Sequence, residues 1–206
     1  MPTRCVAESR TIGALDLTTA DRGALLRLAR GALEAYLAGG DPPALPEGDA
    51  VRQKCGAFVT LAAAGALRGC VGHVPADRPL ARVVRDMVVA AGRDDARFPP
   101  VAASELGTLR IEISVLTEPA PLVPAAPERV VIGRDGLLVR RGAASGLLLP
   151  QVAPEQHWGP EAFLAAACRK AGLAADAWRE PETHVLTFQA DVFAEAREAG
   201  GGMREA

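Results

Sequence analysis

The stretch GALRGCVGHV, residues 65–74, contains three glycines, a cysteine, an arginine and a histidine within ten positions. It follows FVTLA, residues 58–62, and only small residues separate the two strand-like runs. Two such runs joined by a short connection predict a β-hairpin with its turn at residues 63–65. A strand with this many interior glycines often marks a bulge or the close approach of another backbone or a ligand.

The segments around this hairpin predict an α+β fold. Hairpins outnumber regular βαβ units along the chain, which favours a mainly antiparallel sheet flanked by helices. Apolar residues with helical spacing and apolar residues in strict alternation define the remaining elements. The predicted helices are 18–40, 78–95 and 159–178, with a stop at Gly172; the predicted strands are 109–117, two or three short ones within 129–153, and a last one at 184–196.

The composition is that of a folded, globular chain without a basic surface field. Apolar residues make up 49% of the chain, and the net charge is −2 at pH 7. No overall positive charge is available to hold a phosphate backbone, so nucleic acid is not an expected partner. The arginines Arg78, Arg82 and Arg85 on one predicted helix are more typical of a solvated helix face. They are the only support for a nucleic-acid role, which is the weakest alternative.

The sequence indicates neither a membrane span nor a metal centre. No apolar run approaches the roughly 18 residues that cross a bilayer. The first 17 residues lack the apolar core of a signal peptide, so we expect a cytoplasmic protein. The four cysteines form no C-x-x-C pair, and no metal site is predicted. The sequence leaves the cofactor open.

The predicted strand that contains Cys70 has one face that carries candidate catalytic side chains. Side chains alternate along a strand, so Arg68, Cys70 and Gly72 are predicted to share a face, and His73 lies on the other. Cys70 and His73 are therefore not expected to bind one metal. A guanidinium near a thiol lowers its pKa, which is one ingredient of a reactive cysteine. Gly69 and Gly72 would leave an open hollow around the thiol, or alternatively allow a helix to pack tightly against the strand.

Glu112 is a carboxylate between two isoleucines in a strand expected to be central. One interpretation is a general base or a ligand-binding carboxylate beside Cys70. The alternative is a structural ion pair with an arginine such as Arg68. The sequence does not separate the two, and the candidate catalytic residues are therefore Cys70, Arg68 and Glu112.

The motif LRGCVGH resembles the LRGCIG hallmark of the AMMECR domain family, also called protein A of the AmmeMemoRadiSam system. The segments GAFVTL, RFPPV, LRIEISVLT, GLLLPQVA, FLAAACRKAGL and DVFAE resemble the family pattern in the same order. The resemblance covers roughly residues 20–195, and valine replaces the usual isoleucine at Val71. We expect one AMMECR domain at 18–195, an N-terminal segment at 1–17 and a disordered tail at 196–206.

The resemblance implies a larger antiparallel-sheet part flanked by helices and a smaller, mostly helical part, with the hallmark strand at a cleft between them. It implies partners, namely a Memo-like protein and a radical SAM enzyme, and a small-molecule or peptide substrate. It carries no settled activity. The expected function is a component of that system whose LRGCVG strand lines a ligand or substrate pocket. The alternative is a thiol-dependent enzyme with Cys70 as nucleophile, Arg68 as activator or anion ligand, and Glu112 as acid or base.

The candidate ligand-binding residues lie in or near these family-like segments. Gly69, Gly72 and His73 belong to the hallmark strand, Arg97 to RFPPV, and Gln151 to GLLLPQVA.

Overall fold

The computed structural model describes residues 16–196, and these residues form two compact units. The larger unit comprises 16–116 and 191–196, and the smaller unit comprises 117–190. The expected disordered tail lies, except for residue 196, outside the described residues, as does nearly all of the N-terminal segment.

The described residues contain five α-helices and eight strands, all numbered along the chain. The helices are α1 (Thr19–Ala38), α2 (Asp49–Arg52), α3 (Leu80–Arg93), α4 (Val152–Glu155) and α5 (Pro160–Lys170). The strands are β1 (Ala57–Ala63), β2 (Ala66–His73), β3 (Leu109–Leu116), β4 (Ala120–Pro121), β5 (Gly136–Arg141), β6 (Ala144–Leu148), β7 (His184–Phe188) and β8 (Ala190–Ala194). Short 3-10 helices occupy Ala103–Thr108, Pro127–Arg129 and Ala177–Arg179.

The first sheet has the strand order β2-β1-β3-β8, and β1 pairs antiparallel with both of its neighbours. The predicted hairpin is confirmed as β1 and β2, and the hallmark strand β2 lies at the edge of the sheet. Helix α3 packs on β1 and β2, and α1 packs on β3. Alternate residues of β1 and β3 are therefore buried beneath these helices: Ala57, Val59, Leu61, Ile111, Ile113 and Val115.

Helix α1 lies within the predicted segment 18–40, and both of its ends are capped. The hydroxyl of Thr18 accepts a hydrogen bond from the Asp21 N–H, and the Asp21 carboxylate accepts from the Thr18 N–H, which is a capping box. Gly39 ends the helix in the left-handed conformation, with φ of 68°.

The smaller unit has an antiparallel sheet of its own, with the strand order β4-β7-β5-β6. The α+β fold class is confirmed. The smaller unit was expected to be mostly helical, and it instead combines its helices with four strands. Its core joins the sheet to α5 through the fully buried side chains of Phe163, Leu164 and Cys168.

The prediction of a single last strand over residues 184–196 is wrong. The segment forms β7 in the second sheet and β8 in the first, with a break at Gln189. The Gln189 N–H donates to the hydroxyl of Thr117, and the Thr117 N–H donates to the Gln189 carbonyl. Apolar residues keep alternating across the break, so periodicity alone does not reveal it. Within 16–196, no helix is long and apolar enough to cross a bilayer.

Candidate functional site

The hallmark strand contains a β-bulge that changes the direction of Arg68. Leu61 of β1 pairs with Gly69, whereas the next residue of β1, Ala62, pairs with Leu67. Arg68 is thus the extra residue of β2, and a bulge of this kind re-aims the side chain that it carries. The predicted alternation of side chains between the two faces of the strand is therefore interrupted at Arg68.

Arg68 binds a carboxylate away from the thiol. Its Nε and Nη2 donate to Glu105 at 2.7 and 2.9 Å, and its Nη1 donates to the carbonyl of Pro99 at 2.9 Å. The hydrogen bonds from Arg68, and after them the one from the Ala102 N–H, lower the pKa of Glu105 to about 2. The predicted placement of Arg68 beside Cys70 is therefore wrong, because the guanidinium holds the Glu105 segment against β2.

Cys70 lies in a row of polar side chains across three strands. Thr60 of β1 pairs directly with Cys70 on β2 and with Glu112 on β3, and directly paired residues project from the same face. The Thr60 hydroxyl donates to the Cys70 Sγ at 3.2 Å. All three side chains are half-buried, on the sheet face opposite the fully buried residues of β1 and β3. Because of this register, Cys70 and Glu112 lie on the same face of the sheet, on either side of Thr60.

Burial raises the pKa of the Cys70 thiol above its ordinary value. The hydrogen bond from Thr60 and the charge of Arg97 act in the opposite direction, while the charges of Asp95 and Glu112 raise the pKa further. The thiol is consequently protonated at neutral pH. This environment is the reverse of the electropositive surroundings that activate cysteine nucleophiles.

The backbone of Cys70 is capped from the open edge of the sheet by two side chains. Its N–H donates to the Asp95 carboxylate at 2.8 Å, and its carbonyl accepts from Arg97 at 3.5 Å. Arg97 also pairs with Asp95 at 2.6 Å, and the side chain of Asp95 is 6% exposed. These bonds hold the pKa of Asp95 far below its usual range, with the Arg97 contribution the largest. The pair occupies hydrogen-bonding positions that another strand would otherwise use.

Sequence reasoning selected Arg97 but missed Asp95. A signal was present in the chain, because Asp95 and Arg97 are separated by one residue directly after the amphipathic helix α3. A carboxylate and a guanidinium at that spacing in a loop readily form an ion pair with each other, but only the fold brings the pair to the edge of β2.

The two interior glycines of the hallmark strand allow close packing, and they do not form a hollow. A Cβ on Gly69 would lie 2.2 Å from the backbone carbonyl oxygen of Ala91 in α3. A Cβ on Gly72 would lie 2.2 Å from the ring of Phe58, its partner on β1. The open hollow expected around Cys70 is therefore wrong, and the alternative of tight helix packing holds for Gly69.

Glu112 has no hydrogen-bonding or ion-pair partner among residues 16–196. The structural pair with Arg68 that the sequence offered as an alternative is wrong, because Arg68 binds Glu105. Glu112 is half-buried and lies on β3, an interior strand of the sheet.

His73 does not belong to the row formed by Thr60, Cys70 and Glu112, and Gln151 belongs to the other unit. His73 projects from the other face of β2, where its Nε2 contacts Asp77 at 2.6 Å. The separation of Cys70 and His73 is as the alternation predicts. Gln151 belongs to the smaller unit, at the start of α4, and its Oε1 is buried without a hydrogen-bonding partner in the described chain.

Three arginines in α3 and just before it lie close to one acid of that helix. Arg78, Arg82 and Arg85 each lie within 4 Å of Asp86. Their charges are thus partly compensated on the helix itself.

Comparison with known proteins identifies the family. The AMMECR1 family model matches residues 26–193. The chain belongs to the AMMECR1 family. It is 44% identical over 200 residues to a protein of Thermofilum pendens, with 88% of this chain and 93% of that protein covered. It is 45% identical over 177 residues to a protein of Methanothermobacter thermautotrophicus, with 83% and 92% covered.

The fold is also similar to that of a solved crystal structure. An uncharacterized protein of Pyrococcus horikoshii matches with a TM-score of 0.78 and 42% sequence identity, covering 83% of this chain and 89% of that one. That structural relative is described as uncharacterized.

Proposed function

We propose that this AMMECR1 protein is a cytoplasmic, non-catalytic component of the AmmeMemoRadiSam system. In this proposal it acts with a Memo-like protein and a radical SAM enzyme, and it binds a partner or substrate through one face of the first sheet. We call the row formed by Thr60, Cys70 and Glu112 the polar row. The observation that carries the proposal is that this row is half-buried and lies on the face opposite the helix-covered core.

Binding accounts for the surroundings of Cys70 better than nucleophilic catalysis does. The thiol has a raised pKa, and the arginine predicted to activate it holds Glu105. The one histidine of the hallmark strand lies on the opposite face, so it is not a general base for the thiol. The backbone of Cys70 is fixed by Asp95 and Arg97, which suits a rigid surface that presents side chains to a partner.

A pull-down with the Memo-like protein and the radical SAM enzyme of the same organism tests this function. Cys70→Ser changes the sulfur and little else, and Thr60→Gln adds bulk to the polar row without charge. We expect Cys70→Ser to keep both binding and system activity, and Thr60→Gln to lose binding. Glu34→Gln is the control, because Glu34 is exposed on α1.

The thiol-enzyme alternative makes the opposite prediction for the same variants. Loss of system activity in Cys70→Ser with unchanged binding would establish chemistry at the sulfur and overturn the non-catalytic role. The Thr60 hydroxyl that donates to Sγ is the feature that favours this alternative, since it stabilises a thiolate. An iodoacetamide titration adds an independent measurement: a Cys70 pKa below that of a free thiol contradicts the non-catalytic proposal.

A further inference from the structure

Glu112 differs from every other buried or half-buried acid of the larger unit's described residues. Each of the others has a partner within that unit. These pairs are Asp21 with the Thr18 cap, Asp191 with Arg22, Glu195 with Arg30, Glu105 with Arg68, Asp95 with Arg97, and Asp86 with Arg78. Glu112 alone among them has neither a cation within 4 Å nor a hydrogen-bond donor in the described chain.

The position of Glu112 makes this lack of a partner significant. Exposed acids need no partner, because water solvates them. Glu112 is half-buried in an interior strand, and its neighbour Ser114 on the same face is only 1% exposed. A carboxylate that loses part of its hydration without a counter-charge is unfavourable, so such groups are usually paired or bind a ligand.

We propose that Glu112 is the recognition residue for a lysine or arginine side chain of the protein partner that docks on the polar row. The inference rests on the proposed function and specifies the chemistry of the same surface. The match is one of charge complementarity: a single uncompensated carboxylate meets an ammonium or guanidinium group that also needs a counter-charge when desolvated.

The neighbours of Glu112 suit a cationic side chain with an apolar stem. Cys70 adds no negative charge, because its thiol is protonated at neutral pH. Phe58, two residues before Thr60 on β1, projects from the same face, and its half-buried ring lies over Gly72 of β2, where it adds apolar surface beside the polar row for the methylene groups of the stem. Thr60 lies between Glu112 and Cys70 and already donates its hydroxyl proton to sulfur, which leaves the oxygen free to accept a hydrogen bond.

Binding of the Memo-like protein and the radical SAM enzyme, measured by titration calorimetry, tests the inference. Glu112→Gln keeps the shape and removes the charge, so we expect affinity for the partner to fall about tenfold or more. Raising the salt from about 0.05 M to about 0.5 M should weaken wild-type binding and affect the Glu112→Gln variant less. Glu34→Gln should bind as the wild type does. Equal melting temperatures for the three proteins confirm that folding is unchanged.

Two substitutions at Thr60 separate charge from bulk. Thr60→Lys places an ammonium directly opposite Glu112 in the cross-strand pair, so it should compete with the partner's cation. Thr60→Gln blocks the surface without supplying a charge. In the Glu112→Gln background, Thr60→Lys loses its partner carboxylate. We therefore expect the lysine to raise the melting temperature only when Glu112 is present.

The outcomes distinguish the two proposals. Wild-type affinity in Glu112→Gln, together with lost binding in Thr60→Gln, overturns the role of Glu112 and leaves the docking face standing. Absence of wild-type binding to either protein overturns the docking function and this inference together. Loss in Glu112→Gln, with an altered salt dependence and an unaffected Glu34→Gln control, supports both.

Discussion

Replacement of Gly69 by alanine should destabilise the larger unit through a backbone clash. The new Cβ would lie 2.2 Å from the carbonyl oxygen of Ala91, whereas ordinary contacts begin at 3.4 Å. Either β2 or α3 therefore has to move by about 1 Å, and neither is a flexible side-chain end. Overpacking of a rigid core costs roughly 1–3 kcal/mol. Because the obstacle is helix backbone, we expect a loss near the upper end, about 3 kcal/mol in the free energy of unfolding.

Urea unfolding followed by far-UV circular dichroism measures this loss, and hydrogen exchange of the β1, β2 and α3 amides locates it. Gly107→Ala is the matched control, because a Cβ there meets nothing within 4 Å and the backbone is not left-handed. Alanine restricts the unfolded chain at both sites, so the control should be neutral or stabilised by up to about 1 kcal/mol. A Gly69→Ala protein as stable as Gly107→Ala would refute the packing account and restore the open hollow around the thiol.

Three further predictions concern the side chains around the hallmark strand. Asp95→Asn should speed hydrogen exchange of the Cys70 amide, because it removes the carboxylate that accepts from that N–H at 2.8 Å; unchanged exchange would contradict the edge cap. Arg97→Met should raise the pKa of the Cys70 thiol, because Arg97 lowers it, whereas Arg68→Met should leave that pKa unchanged. The rate of iodoacetamide reaction at Cys70 as a function of pH, with peptide mapping, measures the pKa in both variants. A pKa that rises in Arg68→Met and not in Arg97→Met would show that Arg68 is the activator. The pKa of Glu105 falls on folding from its ordinary 4.5 to about 2, so its ion pair adds stability above pH 4.5 that is lost as the pH falls towards 2. In Glu105→Gln the urea midpoint should therefore fall less steeply between these two pH values. A fall as steep as that of the wild type would contradict a stabilising ion pair between Glu105 and Arg68.

Local patterns gave correct elements where the determinants are close in sequence. Helix α1 and the hairpin of β1 and β2 each depend on residues that are close in sequence, and each is present within the predicted segment. The prediction of a single last strand is wrong because its determinant is distant in sequence. Its apolar alternation is continuous, but the break at Gln189 is decided by hydrogen bonds to Thr117, which is 72 residues away.

The candidate site illustrates the same limit at the level of single side chains. Alternation placed Arg68 beside Cys70, and a one-residue bulge opposite Ala62 moved it to Glu105. The interior glycines indicate that a bulge can form in this strand, but its position follows from how β2 registers against β1. Register between β1 and β3 also decided that Glu112 stands in line with Thr60 and Cys70.

Periodicity and a contiguous motif were enough to predict the α+β class, the hairpin and the AMMECR1 family. Sequence patterns also pointed to Cys70, Glu112 and Arg97 as residues of interest. The surroundings of these residues depend on the folded chain. Strand register, helix packing on Gly69 and the reach of Asp95 are long-range contacts, and they leave Cys70 with a protonated thiol and Glu112 without a counter-charge.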